Sequence, residues 1–583
     1  MTYMDETPSD VPFLFPPVTP QVPAGGTWWR DSVVYQIYPR SFADLDGDGV
    51  GDLAGITRRL GHVAELGAQA IWLTPFQRSP QADHGYDVSD YCDVDPLFGD
   101  LAAFDGLVAQ ARRLGLRVVV DLVPNHCSAA HPLFRAALAA GPGSPERARF
   151  HFAPGRGPGG DEPPNNWPSV FGGSAWTRVT EPDGSPGEWY LHMYAPEQPD
   201  WNWRDPRTAP FFDDVVRFWF DRGADGLRID VAHGLFKAEG LPDLEHPGAL
   251  EPMRLRANPL ACDREEVHDV YRRWRAIADS CDPPRALIGE VNLEPDRAGR
   301  YTRPDELHQA FAFAFLVAPW DARAWQAAGT ALLAGSAPKA PVTWVVDNHD
   351  VERSASRYGR VREPAGDVDR RVQGQAGGTG RHVREPVGGT DRHGRSRGPA
   401  RARAALLAVL GLPGAAYLYQ GQELGLPQVD VAPQDRRDPA WPRLGVSRDG
   451  CRVPLPWRRD PAGAHGFSPP GARPPWLPVP PGWGELSVQA QEADPSSSLR
   501  LCRSALRIRR ELHAEGVLTA GDAVEWSVDD EGGLVVDRAG RFTLVLAMGE
   551  GPVRLPPGRL LLASGTLTGD GLLPPDTSAW LLR

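Results

Sequence analysis

A chain of 583 residues, 41% of them hydrophobic and 23% charged, is large enough for one big domain with additions or for several domains. Its 62 Lys and Arg against 75 Asp and Glu leave a net charge of −13, which argues against a phosphate-tracking surface, so no nucleic-acid partner is expected. No stretch approaches the roughly 18 consecutive apolar residues of a membrane span, and the scattered cysteines (Cys92, Cys127, Cys262, Cys281, Cys451, Cys502) form no C-x-x-C pair and are expected to be free thiols.

Residues 1–26 are rich in Pro and Gly and carry Asp5, Glu6 and Asp10 where a secretory leader would be basic. They are expected to be a loose lead-in to a cytoplasmic protein. Seven short apolar runs follow: Val33–Tyr38, Ala70–Leu73, Val118–Leu122, Gly226–Asp230, Ala286–Glu290, Val342–Val346 and Ala415–Tyr419. Amphipathic helical stretches lie between several of them, at 101–114, 210–222 and 266–280. Continuous apolar strands alternating with helices predict a parallel sheet covered on both faces. Their spread from residue 33 to residue 419 fits a (β/α)₈ barrel better than a small doubly wound sheet. The barrel is assigned to 27–126 and 206–510. Residues 127–205, rich in Gly, Pro, Asn and Trp, read as an inserted loop-rich domain after strand three. Runs at Val524–Val528, Leu534–Asp537, Phe542–Ala547 and Leu560–Ala563 predict a C-terminal all-β domain, a β-sandwich over 511–583. Residues 361–370 recur imperfectly at 383–392, so 359–399 is a charged, Gly-rich near-duplication expected to be a flexible insert.

On a parallel barrel the C-terminal strand ends converge on one face, where reactions take place. Those ends carry Asp121 and His126, then Arg228 and Asp230, then Glu290, then His349 and Asp350. Several acids, histidines and an arginine on one face suit cleavage of a glycosidic bond, in which one carboxylate attacks the anomeric carbon and another acid protonates the leaving oxygen. Arg228 stands two residues before Asp230 and points to the same face, where it could keep that carboxylate ionised and aimed.

These residues also resemble a family. Asp121-Leu-Val-Pro-Asn-His126, Gly226-Leu-Arg228-Ile-Asp230, Gly289-Glu290-Val and Val346-Asp-Asn-His349-Asp350 are similar to the four ordered signature regions of the α-amylase family of glycoside hydrolases. Gln198-Pro-Asp-Trp-Asn-Trp203 resembles a fifth region, found in the loop domain of its α-glucosidase and oligo-1,6-glucosidase branch. The resemblance runs from about residue 27 to 505 and implies that Asp230 is the nucleophile, Glu290 the acid/base and Asp350 the third acid gripping sugar hydroxyls, with His126, Arg228 and His349 around the same glucose. Asp83-His-Gly-Tyr86-Asp87 resembles the segment with which exo-acting members close the pocket. Asp83 would then bind the terminal 4-hydroxyl and Tyr86 stack on the ring, and Arg452, in Arg448-Asp-Gly-Cys-Arg452, would pair with Asp83. By the same matching Phe171, Tyr194 and Gln198 would face substrate.

The loop Asp44-Leu-Asp46-Gly-Asp48-Gly-Val50-Gly-Asp52 is a hard-cation loop by composition, but Gly55 stands where an EF-hand needs a bidentate Glu. The resemblance implies a structural Ca²⁺ or Mg²⁺ held by Asp44, Asp46, Asp48, Asp52 and the Val50 carbonyl. Trp201, Gln422 and Ala312 depart from the residues usual in related glucosidases. Val231, after Asp230, is the residue found in members that tolerate α-1,6 bonds. The leading expectation is a retaining exo-α-glucosidase acting on short oligosaccharides, as a monomer or weak homo-oligomer without a membrane or nucleic-acid partner. The alternative is a transglucosylase or a trehalose- or sucrose-converting isomerase working through the same intermediate. A third reading, a non-catalytic transporter heavy chain, would lack the acids and carry a membrane helix.

Overall fold

The computed structural model describes residues 27–247, 255–336, 340–360 and 397–583. The lead-in 1–26 and all but the ends of the near-duplication at 359–399 lie outside the described residues. Eight strands make one parallel sheet: β1 (Val33–Ile37), β2 (Ala70–Leu73), β3 (Arg117–Leu122), β4 (Gly226–Ile229), β5 (Ala286–Gly289), β6 (Gln309–Ala310), β7 (Thr343–Val345) and β8 (Ala415–Tyr419), in the spatial order β6-β5-β4-β3-β2-β1-β8-β7. A parallel bridge between Phe311 and Thr343 brings the two ends of that order together and closes the ring. The expected barrel is therefore present, with β6 as the strand that the apolar runs did not announce.

Alternation along the strands divides the core. Val34, Trp72, Val119, Ile288, Val345 and Tyr417 pack inside the ring, whereas Val33, Tyr35, Ile71, Val118, Leu227 and Leu418 meet the surrounding helices. Those helices begin where a short acceptor side chain can satisfy their first free N–H groups. Asp52 caps Leu53–Leu66, Asp100 caps Leu101–Arg113 and Asp321 caps Ala322–Gly335. Among the described residues no helix is long and apolar enough to cross a membrane, and all six cysteines are free.

Between β3 and β4, the segments Phe152–Ala153, Trp176–Thr180 and Pro186–Leu191 form a small antiparallel sheet. Its own core of Trp167, Phe171, Trp176 and Met193 includes Val231, the residue after Asp230, so the insertion rests on the mouth of the barrel. The fully buried Lys237 pins it there, with Nζ 2.8 Å from both Asp200 of the insertion and Asn125 of the barrel.

The C-terminal region departs from the expected sandwich. Strands β9 (Val524–Val528), β10 (Gly533–Arg538), β11 (Phe542–Ala547), β12 (Arg559–Ala563) and β13 (Thr577–Leu582) make a single antiparallel sheet in the order β9-β10-β11-β13-β12. One face packs on the barrel helix Gly398–Gly411, where Trp580 Nε1 donates to the Leu407 carbonyl at 3.0 Å. The other face buries Val545, Ala579 and Leu581 under Val553 and Leu573 of the connecting loops. A helix and loops do the covering that a second sheet would have done.

Candidate active site

The strand ladders run one residue past their formal ends at the site. Asp230 N–H donates to the Leu122 carbonyl at 2.8 Å, and Glu290 N–H to the Ile229 carbonyl at 2.9 Å. Both carboxylates are therefore fixed by the barrel itself rather than by loops. Arg228, inside the ring with its guanidinium 4.9 Å from the centre of the Trp72 ring, bridges them. Its Nη1 donates to Asp230 Oδ1 at 2.6 Å and to Asp121 at 3.0 Å, and its Nη2 donates to Glu290 Oε2 at 2.7 Å. Glu290 Oε2 also accepts from the Val231 N–H at 3.0 Å. To present that N–H, Val231 adopts φ +45°, a left-handed conformation that a β-branched side chain disfavours. Such local strain beside a carboxylate pair marks a site where geometry outweighs backbone preference.

Burial and the Glu290 carboxylate push Asp230 well above the usual carboxylate range, with Arg228 opposing. Two carboxylates this close repel one another, which is why the Glu290 charge adds to the effect of burial on Asp230. Asp121, behind them, is pushed up to about 7 by burial, again opposed by Arg228.

A second charged cluster stands across the pocket. Burial alone would raise Asp350, but the Arg448 and Arg452 guanidinium groups oppose it and the carboxyl is held well below its ordinary value. Arg452 Nη2 lies 2.9 Å from Asp350 Oδ1, and its Nε donates to the His349 carbonyl at 2.8 Å. The arginine that pairs with Asp83 is not Arg452, as expected, but Arg448, whose Nη2 donates to Asp83 Oδ1 at 3.0 Å. Arg448 Nη1 also reaches Asp350 at 3.1 Å, while its Nε donates to Asp438 at 2.8 Å. Arg448 opens the segment expected to supply this arginine, whereas no motif in the sequence marks Asp438. Asp83 is pushed up to about 6 by burial, with Arg448 opposing, and also accepts from Gln198 Nε2 at 3.2 Å.

The remaining predicted residues gather around these acids. Gln198 Nε2 is 3.0 Å from His126 Nε2, and the His126 ring lies 5.2 Å from that of Tyr194. Phe171 packs edge-on to Tyr194 at 5.3 Å and sits 5.0 Å beneath the Arg448 guanidinium. The Tyr86 hydroxyl is 2.6 Å from His349 Nε2, and its ring lies parallel to the His349 ring. Gln36 holds the other imidazole nitrogen at 2.7 Å, and burial drives His349 down to about 3, keeping its ring neutral. Asp83, Tyr86, His126, Phe171, Tyr194, Gln198, Arg228 and His349 are thus linked to the three acids through one continuous network, as are Arg448 and Arg452.

The predicted cation loop divides differently. Asp44, Asp46 and Asp48 each bring a carboxylate oxygen within 4.8 Å of the others. Asp52 is not in that group; its carboxylate caps the following helix, accepting from Gly55 N at 2.6 Å and from Leu45 N at 2.7 Å, while Asp44 likewise accepts from Gly47 N at 2.7 Å and Gly49 N at 3.0 Å. Val50 donates its N–H to Asp48 Oδ1 at 2.8 Å.

The family model for the α-amylase catalytic domain matches residues 36–371 and 389–516. The chain belongs to the α-amylase family. It is a glycoside hydrolase of that family, and the stretch that the match skips falls within the near-duplication. A probable α-glucosidase of Rhizobium meliloti is 39% identical over 83% of the chain and 82% of its own length. An oligo-1,6-glucosidase of Parageobacillus thermoglucosidasius is 31% identical over 83% of the chain and 84% of its own length. Among solved structures, the α-glucosyl transfer enzyme XgtA superposes with a TM-score of 0.79 at 32% identity, covering 95% of this chain and 99% of that one.

Proposed function

We propose that the chain is a retaining exo-α-glucosidase that removes terminal non-reducing glucose from short oligosaccharides through a covalent glucosyl intermediate. The observation that carries this reading is Arg228 holding Asp230 and Glu290 on one guanidinium, at 2.6 and 2.7 Å. Retaining enzymes keep their two carboxyl groups about 5 Å apart, whereas inverting enzymes separate them further to admit a water. Two acids on one planar fork match the closer arrangement. Asp230 attacks the anomeric carbon as the glycosidic bond breaks. Glu290 delivers its proton to the leaving oxygen from Oε1, because Oε2 is taken up by Arg228 and Val231. Glu290 then removes a proton from the incoming water, which releases glucose from Asp230. Asp350 binds sugar hydroxyls more tightly as the ring flattens. The Asp83–Arg448 pair walls off the far side of that glucose and leaves no passage for a longer chain.

Proton NMR of early p-nitrophenyl α-glucoside hydrolysis should show α-glucose first. Initial β-glucose would sink the retaining mechanism, and internal fragments from starch without free glucose would sink exo action. A second reading has a specific motive: a trehalulose synthase superposes with a TM-score of 0.79 at 26% identity over 95% of the chain. If sucrose gives mainly isomeric disaccharides rather than glucose and fructose, isomerisation on the same intermediate replaces hydrolysis.

We also infer that Asp44, Asp46 and Asp48 hold a structural Ca²⁺ or Mg²⁺. Their carboxylates converge, and Asp48 is raised by burial and by its acidic neighbours Asp46 and Asp44, the imbalance that a hard cation would relieve. Such an ion would brace the β1 loop and contribute no reacting group.

A further inference from the structure

The Arg448 side chain is long, and nothing in the carboxylates it serves fixes where its guanidinium must stand. Asp83 and Asp350 approach from different elements, the loop after β2 and the turn after β7. What holds the fork between them lies behind it. Asp438 is buried, and its two oxygens accept from Arg448 Nε at 2.8 Å and Nη2 at 2.9 Å. The same carboxylate accepts from the Arg448 backbone N–H at 2.6 Å and from Ala440 N–H at 3.0 Å. Asp449 reciprocates, accepting from the N–H groups of Arg437 at 2.8 Å and Asp438 at 3.1 Å. Two carboxylates thus clasp the neck of the 438–448 turn from opposite sides, and one of them also grips the guanidinium side-on. A side-on pair fixes the plane of an arginine as well as its position. With Nε and one edge of Nη2 committed to Asp438, Nη1 can only project toward Asp350, at 3.1 Å, and the remaining edge of Nη2 toward Asp83, at 3.0 Å.

We propose that Asp438 is a positioning residue: it fixes the Arg448 guanidinium in the one orientation that meets Asp83 and Asp350 together, and so sets both carboxylates for the bound sugar. The proposal rests on the reading of this pocket as a site for terminal glucose. A burial-only role for Asp438, closing the turn, makes a different prediction. Asp438→Asn keeps an acceptor oxygen for one of the two neck N–H groups, that of Arg448 or that of Ala440, but removes the charge and the second acceptor that the guanidinium needs.

The decisive experiment is a double-mutant cycle with Arg448→Ala, read as kcat and KM on p-nitrophenyl α-glucoside, together with the crystal structure of D438N. In the otherwise native enzyme D438N should raise KM and lower kcat, with kcat/KM falling about 30-fold, and Arg448 should be displaced or split between conformers. In the R448A background the same change should alter kcat/KM less than about twofold, because the residue it acts through is gone. Equal losses in both backgrounds, or native kinetics with Arg448 unmoved, would overturn the proposal. If D438N does not fold, Arg448→Lys takes its place. A lysine is a single point charge that cannot serve three carboxylates at once, so it should reproduce the joint change in KM and kcat, and native kinetics there would count against the proposal. Should the native enzyme release no glucose from any terminal α-glucoside, the functional reading fails, and the position of Arg448 in the D438N crystal still decides this one.

Discussion

At the residue scale the site is defined by which oxygens each guanidinium reaches. Asp230→Ala, Glu290→Gln and Asp350→Asn are each expected to reduce kcat by at least about 10³-fold while leaving the melting temperature within a few degrees. A variant that keeps a tenth of native turnover would lose its assigned role. Asp83 gives the site a pH signature. Its carboxyl sits at about 6 because burial disfavours the charged form. Above that pH it is ionised and can accept from both Arg448 and a sugar hydroxyl; below it the acceptor is lost. KM should therefore rise as pH falls through about 6, and the Asp83→Asn variant should start from a high KM and show no such rise. A native KM that stays flat from pH 5 to 8 would remove Asp83 from the binding role. The acids were legible in the sequence because a parallel barrel obliges strand ends to converge. The choice between Arg448 and Arg452 was not. Four residues apart on one short turn, they lie on the same face, and sequence spacing says nothing about which carboxylate each side chain meets.

At the element scale, strands buried on both faces announced themselves as unbroken apolar runs. β6 did not, because it is only Gln309–Ala310. It belongs to the sheet through pairing with β5 and the Phe311–Thr343 bridge, partners that no local pattern encodes. The β1 loop was legible as a chain of acids, but the sequence could not reveal that Asp52 caps the following helix and stands outside the group formed by Asp44, Asp46 and Asp48. If a cation joins the other three acids, chelator should lower the melting temperature and added Ca²⁺ or Mg²⁺ should restore it. Identical melting curves, with no metal in the purified protein, would end that idea. The ends of the near-duplication are themselves informative. Gly359 and Gly398 lie so close that a Cβ on the first would stand 3.3 Å from the Cα of the second. Loop closure is therefore already satisfied at its base, and replacing 361–396 by a short Gly/Ser link adds little closure cost. The shortened enzyme should keep its melting temperature within about 3 °C and its kcat/KM on maltose within about twofold; failure to fold would refute this.

At the scale of the whole molecule, stability and catalysis draw on opposite ends of the barrel. The C-terminal sheet was anticipated as β-structure, but alternating and continuous apolar patterns cannot say what covers a strand. β11 is buried along its whole length, which a second sheet or a helix would explain equally well. The cover is the helix Gly398–Gly411, which meets the C-terminal region along its length, from Arg401, 2.7 Å from Asp576, through Ala404, whose carbonyl accepts from Ser578 Oγ at 3.0 Å, to its C-terminal end. Trp580 is fully buried there, donating to the Leu407 carbonyl at 3.0 Å, and Arg538 Nη1 donates to the Gly411 carbonyl at 2.7 Å. Gly411 has no room for a side chain, since an added Cβ would meet Trp580 Nε1 at 2.8 Å. From Gly411 the chain enters β8 at its N-terminal end, away from the strand ends that carry Asp230, Glu290 and Asp350. Trp580→Ala should therefore cost about 3–5 kcal/mol through the cavity it leaves. Gly411→Val should be destabilising for the opposite reason, overpacking against the indole. Because unfolding of a chain this long is often irreversible, the measurement is the inactivation half-life at fixed temperature, which should shorten in both variants. Activity assayed at 25 °C on freshly prepared, folded enzyme should stay within about twofold of native, since no element of the pocket touches this contact. A tenfold loss of kcat/KM in either folded variant would mean that the sheet transmits strain along β8 to the mouth, and that the two ends of the barrel are not independent.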